Sequence, residues 1–156
     1  MSKRISSFAK DLAAGKQGEK AVADALRIAR CATNVDFTNA GKDHDFILEF
    51  EHFPPLAVET KTDYFSRRTS NIFIEVSCNN KNSGLRATKA ALWVFYLPHL
   101  QEGLAFCPLK MSKYLASVKG ARNRVVSGGD GGRARGHLVP IDAVKALPFV
   151  EIISIK

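Results

Sequence analysis

Apolar and charged residues alternate along two neighbouring stretches of the chain. In Leu56-Ala57-Val58-Glu59-Thr60-Lys61-Thr62-Asp63 the alternation has the two-residue period of a strand. Leu56, Val58, Thr60 and Thr62 fall on one face, and Ala57, Glu59, Lys61 and Asp63 on the other. Upstream, Lys42 to Phe50 alternates as well. Phe46, Leu48 and Phe50 share one face; Asp43, Asp45 and Glu49 share the other. Between the two lies Glu51-His52-Phe53-Pro54-Pro55, a turn signal. A hairpin centred on His52 sets Asp45 opposite Glu59 on one face, with Lys61 two residues along. A slip of one residue would send one carboxylate to the opposite face.

The rest of the pattern surrounds this hairpin. Residues from about 11 to 30 predict a helix, with Leu12, Glu19, Val22, Ala23 and Leu26 on one side and Lys16, Lys20, Asp24 and Arg27 on the other. Glu19 is the odd member of that apolar stripe, and a carboxylate facing a core needs a partner. It either sits at the rim, reaching water or a lysine, or shares a cation with Asp45 and Glu59. A short strand is expected over 33–37, a basic loop over 64–70, a third core strand over 72–77 and one or two helical turns over 85–90. Ala91 to Leu97 has no polar alternation and reads as a strand buried on both faces. A strand over 103–107, a helix over 109–119, a short helix capped by Asp142 and a last strand over 150–155 complete the chain.

The chain has 156 residues, enough for a single domain over 1–156 with its own core. A hydrophobic share of 46% and a charged share of 24% suit an ordinary globular protein. The net charge of +8 favours an anionic partner such as nucleic acid. Cys31, Cys78 and Cys107 are odd in number and lack metal-site spacing, so they read as reduced thiols of a cytoplasmic protein. No stretch reads as a signal peptide or membrane span. Residues 119–136 hold one Lys and four Arg against a single Asp, amid many glycines. This is expected to be a mobile basic loop, either a plain solvated surface or a phosphate clamp. It lacks the Lys-Ser/Thr ending of a Walker motif. The four histidines, His44, His52, His99 and His137, form no ligand pattern, and His44 is expected to point away from the acids. Trp93, Phe95 and Tyr96 read as core.

Like charges opposite each other destabilise a sheet. Two carboxylates held together must share a proton or bind a cation, and a hard divalent ion with oxygen ligands is the simplest partner. An acid, any residue, then lysine is weak on its own, since chance gives about one in a chain of this composition. Its weight comes from the setting: an apolar strand, a partner acid across the hairpin and a third acid on the inner side of the preceding helix.

In these residues the chain resembles the PD-(D/E)XK nuclease superfamily, above all its Holliday-junction-resolvase-like and phage-type members. The likeness runs from about Gly15 to Leu97 and includes Ser83-Gly84-Leu85 to Thr88 and Trp93-Val94-Phe95-Tyr96. It implies an α/β fold with a restriction-endonuclease-like core, α-β-β-β-α-β, in which helices flank a central mixed sheet. It implies that Asp45, Glu59 and the carbonyl of Thr60 hold Mg²⁺, for which Mn²⁺ substitutes, with Glu19 completing the set. Lys61 matches the motif lysine. Glu19, Asp45, Glu59 and Lys61 are thus the candidate catalytic residues. The residue before Asp45 is His44 where the motif has proline, which keeps Asp43 open as the metal ligand instead. The implied activity is metal-dependent phosphodiester hydrolysis on branched or duplex DNA in recombination, repair or phage DNA processing. Arg67, Arg68, Lys81, Arg122, Arg124, Arg133 and Arg135 are the candidate DNA contacts. A homodimer is carried over by analogy with junction-cutting relatives. The alternatives are an inactive basic nucleic-acid-binding module with the same fold, and a ribonuclease.

Overall fold

The computed structural model describes residues 2–38, 40–41, 43–118, 125–128 and 132–156, with 2–9 as backbone alone. The chain opens with helix α1 (Ser2–Ala29). It starts well before the expected residue 11, because no proline interrupts the segment and a nucleated helix propagates. Strands β1 (Asn34–Asp36), β2 (Phe46–Glu49) and β3 (Leu56–Thr62) follow. Then come one helical turn, α2 (Ser66–Thr69), and β4 (Asn71–Cys78), β5 (Lys81–Asn82) and a 3₁₀ turn at Gly84–Arg86. Strands β6 (Leu92–Leu97) and β7 (Glu102–Phe106) lead to helix α3 (Pro108–Ser117). Strands β8 (Val125–Gly128) and β9 (Ala134–Pro140), helix α4 (Ile141–Lys145) and β10 (Val150–Ser154) end the fold.

The architecture is α/β with a mixed central sheet. Six strands stand in the order β1-β2-β3-β6-β7-β10. All neighbours are antiparallel except β3 and β6, which run parallel. A parallel pair cannot be joined by a tight turn. Residues 63–91 supply the crossover, and in doing so build two of the four strands of a second layer.

That layer corrects one expectation. Segment 72–77 does form a strand, but β4 lies outside the central sheet. It belongs to a four-stranded sheet ordered β5-β4-β9-β8. The place beside β3 is taken by β6, whose continuous apolar run fits a strand covered on both faces. The expected loop over 64–70 also contains a helical turn. The Asp63 carboxylate accepts the Ser66 N–H at 2.9 Å, and Ser70, at φ 53°, ends the turn. The expected basic loop over 119–136 gives up part of its length to β8 and the start of β9, which pair through their backbones. Residues 119–124 and 129–131 lie outside the described residues. Asp142 is no cap: Pro140 holds that position, and Asp142 sits in the first turn of α4, where a carboxylate suits the helix dipole.

Two cores result, one on each face of the central sheet. On one face, Val22, Ala23 and Leu26 of α1 pack against Phe46, Leu48, Val58, Leu92 and Val94. On the other, Trp93, Phe95, Leu97, Leu104 and Phe106 meet Ile72, Ile74, Val76 and Val139 of the second sheet, together with α3 and α4. The three cysteines are free thiols. Among the described residues, no helix is long and apolar enough to cross a membrane.

The seating of α1 on β3 depends on one glycine. A Cβ built on Gly18 would stand 2.0 Å from the Thr62 hydroxyl oxygen, whereas one built on Gly15 meets nothing within 4 Å. Both are helix-interior glycines, where alanine ordinarily gains about 1 kcal/mol. Gly15→Ala is therefore expected to stabilise the protein by roughly that amount. Gly18→Ala is expected to destabilise it by about 1–3 kcal/mol, the usual cost of overpacking. Urea denaturation of both variants reads the contrast.

Candidate active site

The β2–β3 hairpin has the register centred on His52. Phe46 pairs with Val58, Ile47 with Ala57 and Leu48 with Leu56. One step further the ladder changes character. The Asp45 N–H donates to the Val58 carbonyl at 2.9 Å, and the Asp45 carboxylate accepts the Thr60 N–H at 2.6 Å. A side chain thus takes the place of a backbone partner and pins Asp45 against the middle of β3. Backbone groups of one strand residue leave on the same side. The Thr60 carbonyl therefore points toward the Asp45 side as well.

The alternation of β3 then sorts its side chains. Val58 and Thr60 are buried toward α1. Glu59 and Lys61 face the other way, opposite Trp93 and Phe95 in the parallel ladder with β6. Glu59 is 15% exposed, and its carboxylate accepts from the Lys61 ammonium at 2.5 Å. That ammonium lies 5.7 Å from the Trp93 ring centroid, a cation–π distance.

Burial pushes the Glu59 carboxyl above its ordinary range. Lys61 opposes the shift by charge and hydrogen bond, Asp45 reinforces it, and His44 opposes it. Glu19 is raised too, first by burial and then by the charge of Asp45. Lys16 and Lys61 oppose that shift, and Glu59 adds to it. The three acids and the lysine therefore share one field, although Glu19 comes from α1, on the opposite side of the sheet from the Glu59 side chain. Residues 43–45 bend before β2 begins, and this brings His44 within electrostatic reach of Glu59. The bend also separates the two aspartates: Asp43 pairs with Lys89 at 2.9 Å, while Asp45 stays on β3.

No family model, curated protein or solved structure matches this chain.

The donor set suits a hard divalent cation. It consists of carboxylates and a carbonyl, the carboxylates repel one another, and at least one is kept from water. Among the described residues no three acidic, His or Cys side chains converge closely enough to grip a common ion as they stand. Glu59 is turned to Lys61, and Asp45 to the Thr60 N–H. Taking up an ion would need Glu59 to loosen its hold on Lys61.

The basic candidates are scattered. Arg67 and Arg68 are exposed on α2, just beyond the end of β3. Lys81 is exposed on β5, in the row Lys81–Cys78–Ala134, and Arg135 is exposed on β9, in the next row, Asn82–Ser77–Arg135. Adjacent rows point to opposite faces, so Lys81 and Arg135 do not share one. Arg133 is exposed just before β9. Arg122 and Arg124 lie outside the described residues.

One acid at the site escapes sequence reasoning. Glu75 of β4 lines a cavity of about 200 Å³ with Glu59, Lys61, Thr88 and Trp93. The signal was present: Glu75 is a lone carboxylate within the apolar strand Ile72-Phe73-Ile74-Glu75-Val76, as Glu19 is within the stripe of α1.

The raised acids give a pH dependence of known sign. Where a carboxyl has a higher pKa folded than unfolded, the unfolded chain releases its proton first. Stability then falls as pH rises from the ordinary carboxylate range through the folded pKa. Glu19→Gln removes this loss. The variant is expected to be more stable than the wild type at neutral pH, with the gain shrinking as pH drops into the ordinary carboxylate range. Urea denaturation of the two proteins across that pH range measures it.

Proposed function

We propose that this protein is a divalent-metal-dependent nuclease of the PD-(D/E)XK type that hydrolyses DNA phosphodiesters. The observation that carries the reading is the placement of the Asp45 carboxylate on the Thr60 N–H, between Glu59 and Lys61 of β3; Glu19 on α1 feels the charge of these groups. Two of these acids bear an ionisation cost that a bound cation would relieve. The topology is compatible with a restriction-endonuclease-like core: α1, then β1, β2 and β3 side by side, then a crossover to β6 parallel to β3. The crossover carries a strand layer in place of one long helix.

Asp45 and Glu59 would hold Mg²⁺ or Mn²⁺ through their carboxylates and Thr60 through its carbonyl, with Glu19 adding negative charge from α1. The bound ion supplies Lewis-acid polarisation of a phosphate oxygen and a more acidic water. Lys61 orients that water through a hydrogen bond and offsets the charge that builds on the phosphate oxygens. Arg67 and Arg68, beyond the end of β3, contact the backbone phosphates; Arg133 and one of Lys81 and Arg135, which lie on opposite faces of the second sheet, extend that contact. Arg122 and Arg124 are assigned the same role on their charge alone. Cutting both strands of a branched substrate calls for two sites, and a homodimer supplies them.

Plasmid nicking tests the reading. Cleavage is expected with Mg²⁺ or Mn²⁺ and not in excess chelator. Glu59→Ala and Lys61→Ala are each expected to lower the rate by at least about 100-fold, while gel shifts show DNA binding retained. Binding without cleavage in either metal would establish instead a basic nucleic-acid-binding module. A junction, a flap, a duplex, a single strand and an RNA, assayed side by side, identify the substrate.

A further inference from the structure

Lys61 stands between two carboxylates on different sheets. Its ammonium bonds Glu59 on its own strand. It also lines, with Glu75 and Trp93, both the cavity of about 200 Å³ and a neighbouring one of about 220 Å³, whose other acid, Asp63, is engaged by the Ser66 N–H. Glu75 belongs to β4, so this pocket spans the two sheets.

Glu75 is held in place from below. The Ser83 hydroxyl donates to its Oε1 at 2.6 Å. Gly84 follows at φ +50°, and a Cβ there would stand 2.3 Å from the Glu75 carbonyl oxygen. The Ser83-Gly84 turn can therefore close on β4 only with glycine at that position. Thr88 steadies the opposite wall by accepting the Trp93 indole N–H at 3.0 Å. The stretch from Ser83 to Trp93, singled out in the sequence but left without a role by the reading above, thus builds a frame around Glu75. Among the described residues Ser83 is the one hydrogen-bond donor to this carboxylate, and Oε2 is left open to a second.

From this placement we infer that Glu75 is a positioning residue that receives the Lys61 ammonium when Glu59 turns to a cation. The inference rests on the metal-dependent reading of Glu59. An ammonium and a divalent ion on one carboxylate repel each other. Without an alternative anion, Lys61, 44% exposed, would either compete for Glu59 or swing out into water, away from the reacting phosphate. Glu75 offers that anion from another wall of the same cavity, and the ammonium turns from one carboxylate toward the other by rotation of the lysine stem. Lys61 thereby stays charged and close to the reacting phosphate while Glu59 is released.

Mn²⁺ binding, followed by the loss of its free-ion EPR signal, tests this without any turnover. Glu75→Gln keeps an acceptor for Ser83 and removes only the charge. It is expected to bind Mn²⁺ about tenfold more weakly than the wild type. Lys61→Met removes the competing ammonium and is expected to bind at least as tightly as the wild type. In the Lys61→Met background, Glu75→Gln is expected to have no further effect. Unchanged affinity in Glu75→Gln overturns the inference, and so does weakened affinity in Lys61→Met. An undiminished loss in the double variant also overturns it, because Glu75 would then ligate the ion directly. If Glu75→Gln does not fold by circular dichroism, the Lys61→Met comparison still decides. A wild type that binds Mn²⁺ and cuts DNA, beside a Glu75→Gln variant that binds equally well, sinks this inference alone. A wild type that neither binds nor cuts removes the nuclease reading and this inference with it.

Discussion

Beyond Val58 the β2–β3 ladder runs out of backbone partners, and the Asp45 carboxylate accepts the next N–H, that of Thr60. This bond ties an acid to the middle of β3 at the point where Glu59 and Lys61 leave the strand. A charge-assisted bond of this kind is stronger than a neutral one. It also sets the two aspartates apart. Asp45, just before the paired register, bonds to β3, while Asp43, two residues earlier, pairs with Lys89.

The second constraint is the parity of β3. Its alternate residues serve two different layers. Val58 and Thr60 help seal the core under α1, and Gly18 lets the helix lie against Thr62. Glu59 and Lys61 look into a gap between two sheets, lined by Trp93 and Glu75. Charged groups tolerate such a place only when they are paired, and Lys61 provides the pairing. The protein accepts raised carboxyl groups at Glu19 and Glu59, at a cost to its stability near neutral pH. Such costs gather at functional sites more often than at random.

The crossover from β3 to β6 accounts for most of what surrounds the site. A parallel connection must leave the sheet and return. Here it returns through β4 and the Ser83-Gly84 turn, and so delivers a carboxylate from outside the central sheet. β9 and β8 then complete the second layer from a distant part of the chain. The two layers are joined by apolar contacts of Trp93, Phe95 and Phe106 with Ile72, Ile74 and Val139.

Local pattern determined a good deal of this by itself. The period-two alternation of 46–49 and 56–62 and the prolines between them indicated the hairpin; burial of one face then holds it in the register centred on His52 rather than a slipped one. The unbroken apolar run Leu92–Leu97 foretold a strand covered on both sides. What sequence could not decide was which strands become neighbours. The partner of β3 lies some thirty residues downstream, as the parallel register with β6 shows; β4 pairs with β9, farther still along the chain. Those choices follow from competition among apolar faces for burial, which only the assembled fold resolves. The same competition kept Lys81 and Arg135 on different faces and set Glu75 on the cavity that Lys61 lines, since each depends on a bulge or a layer contact that no local period records.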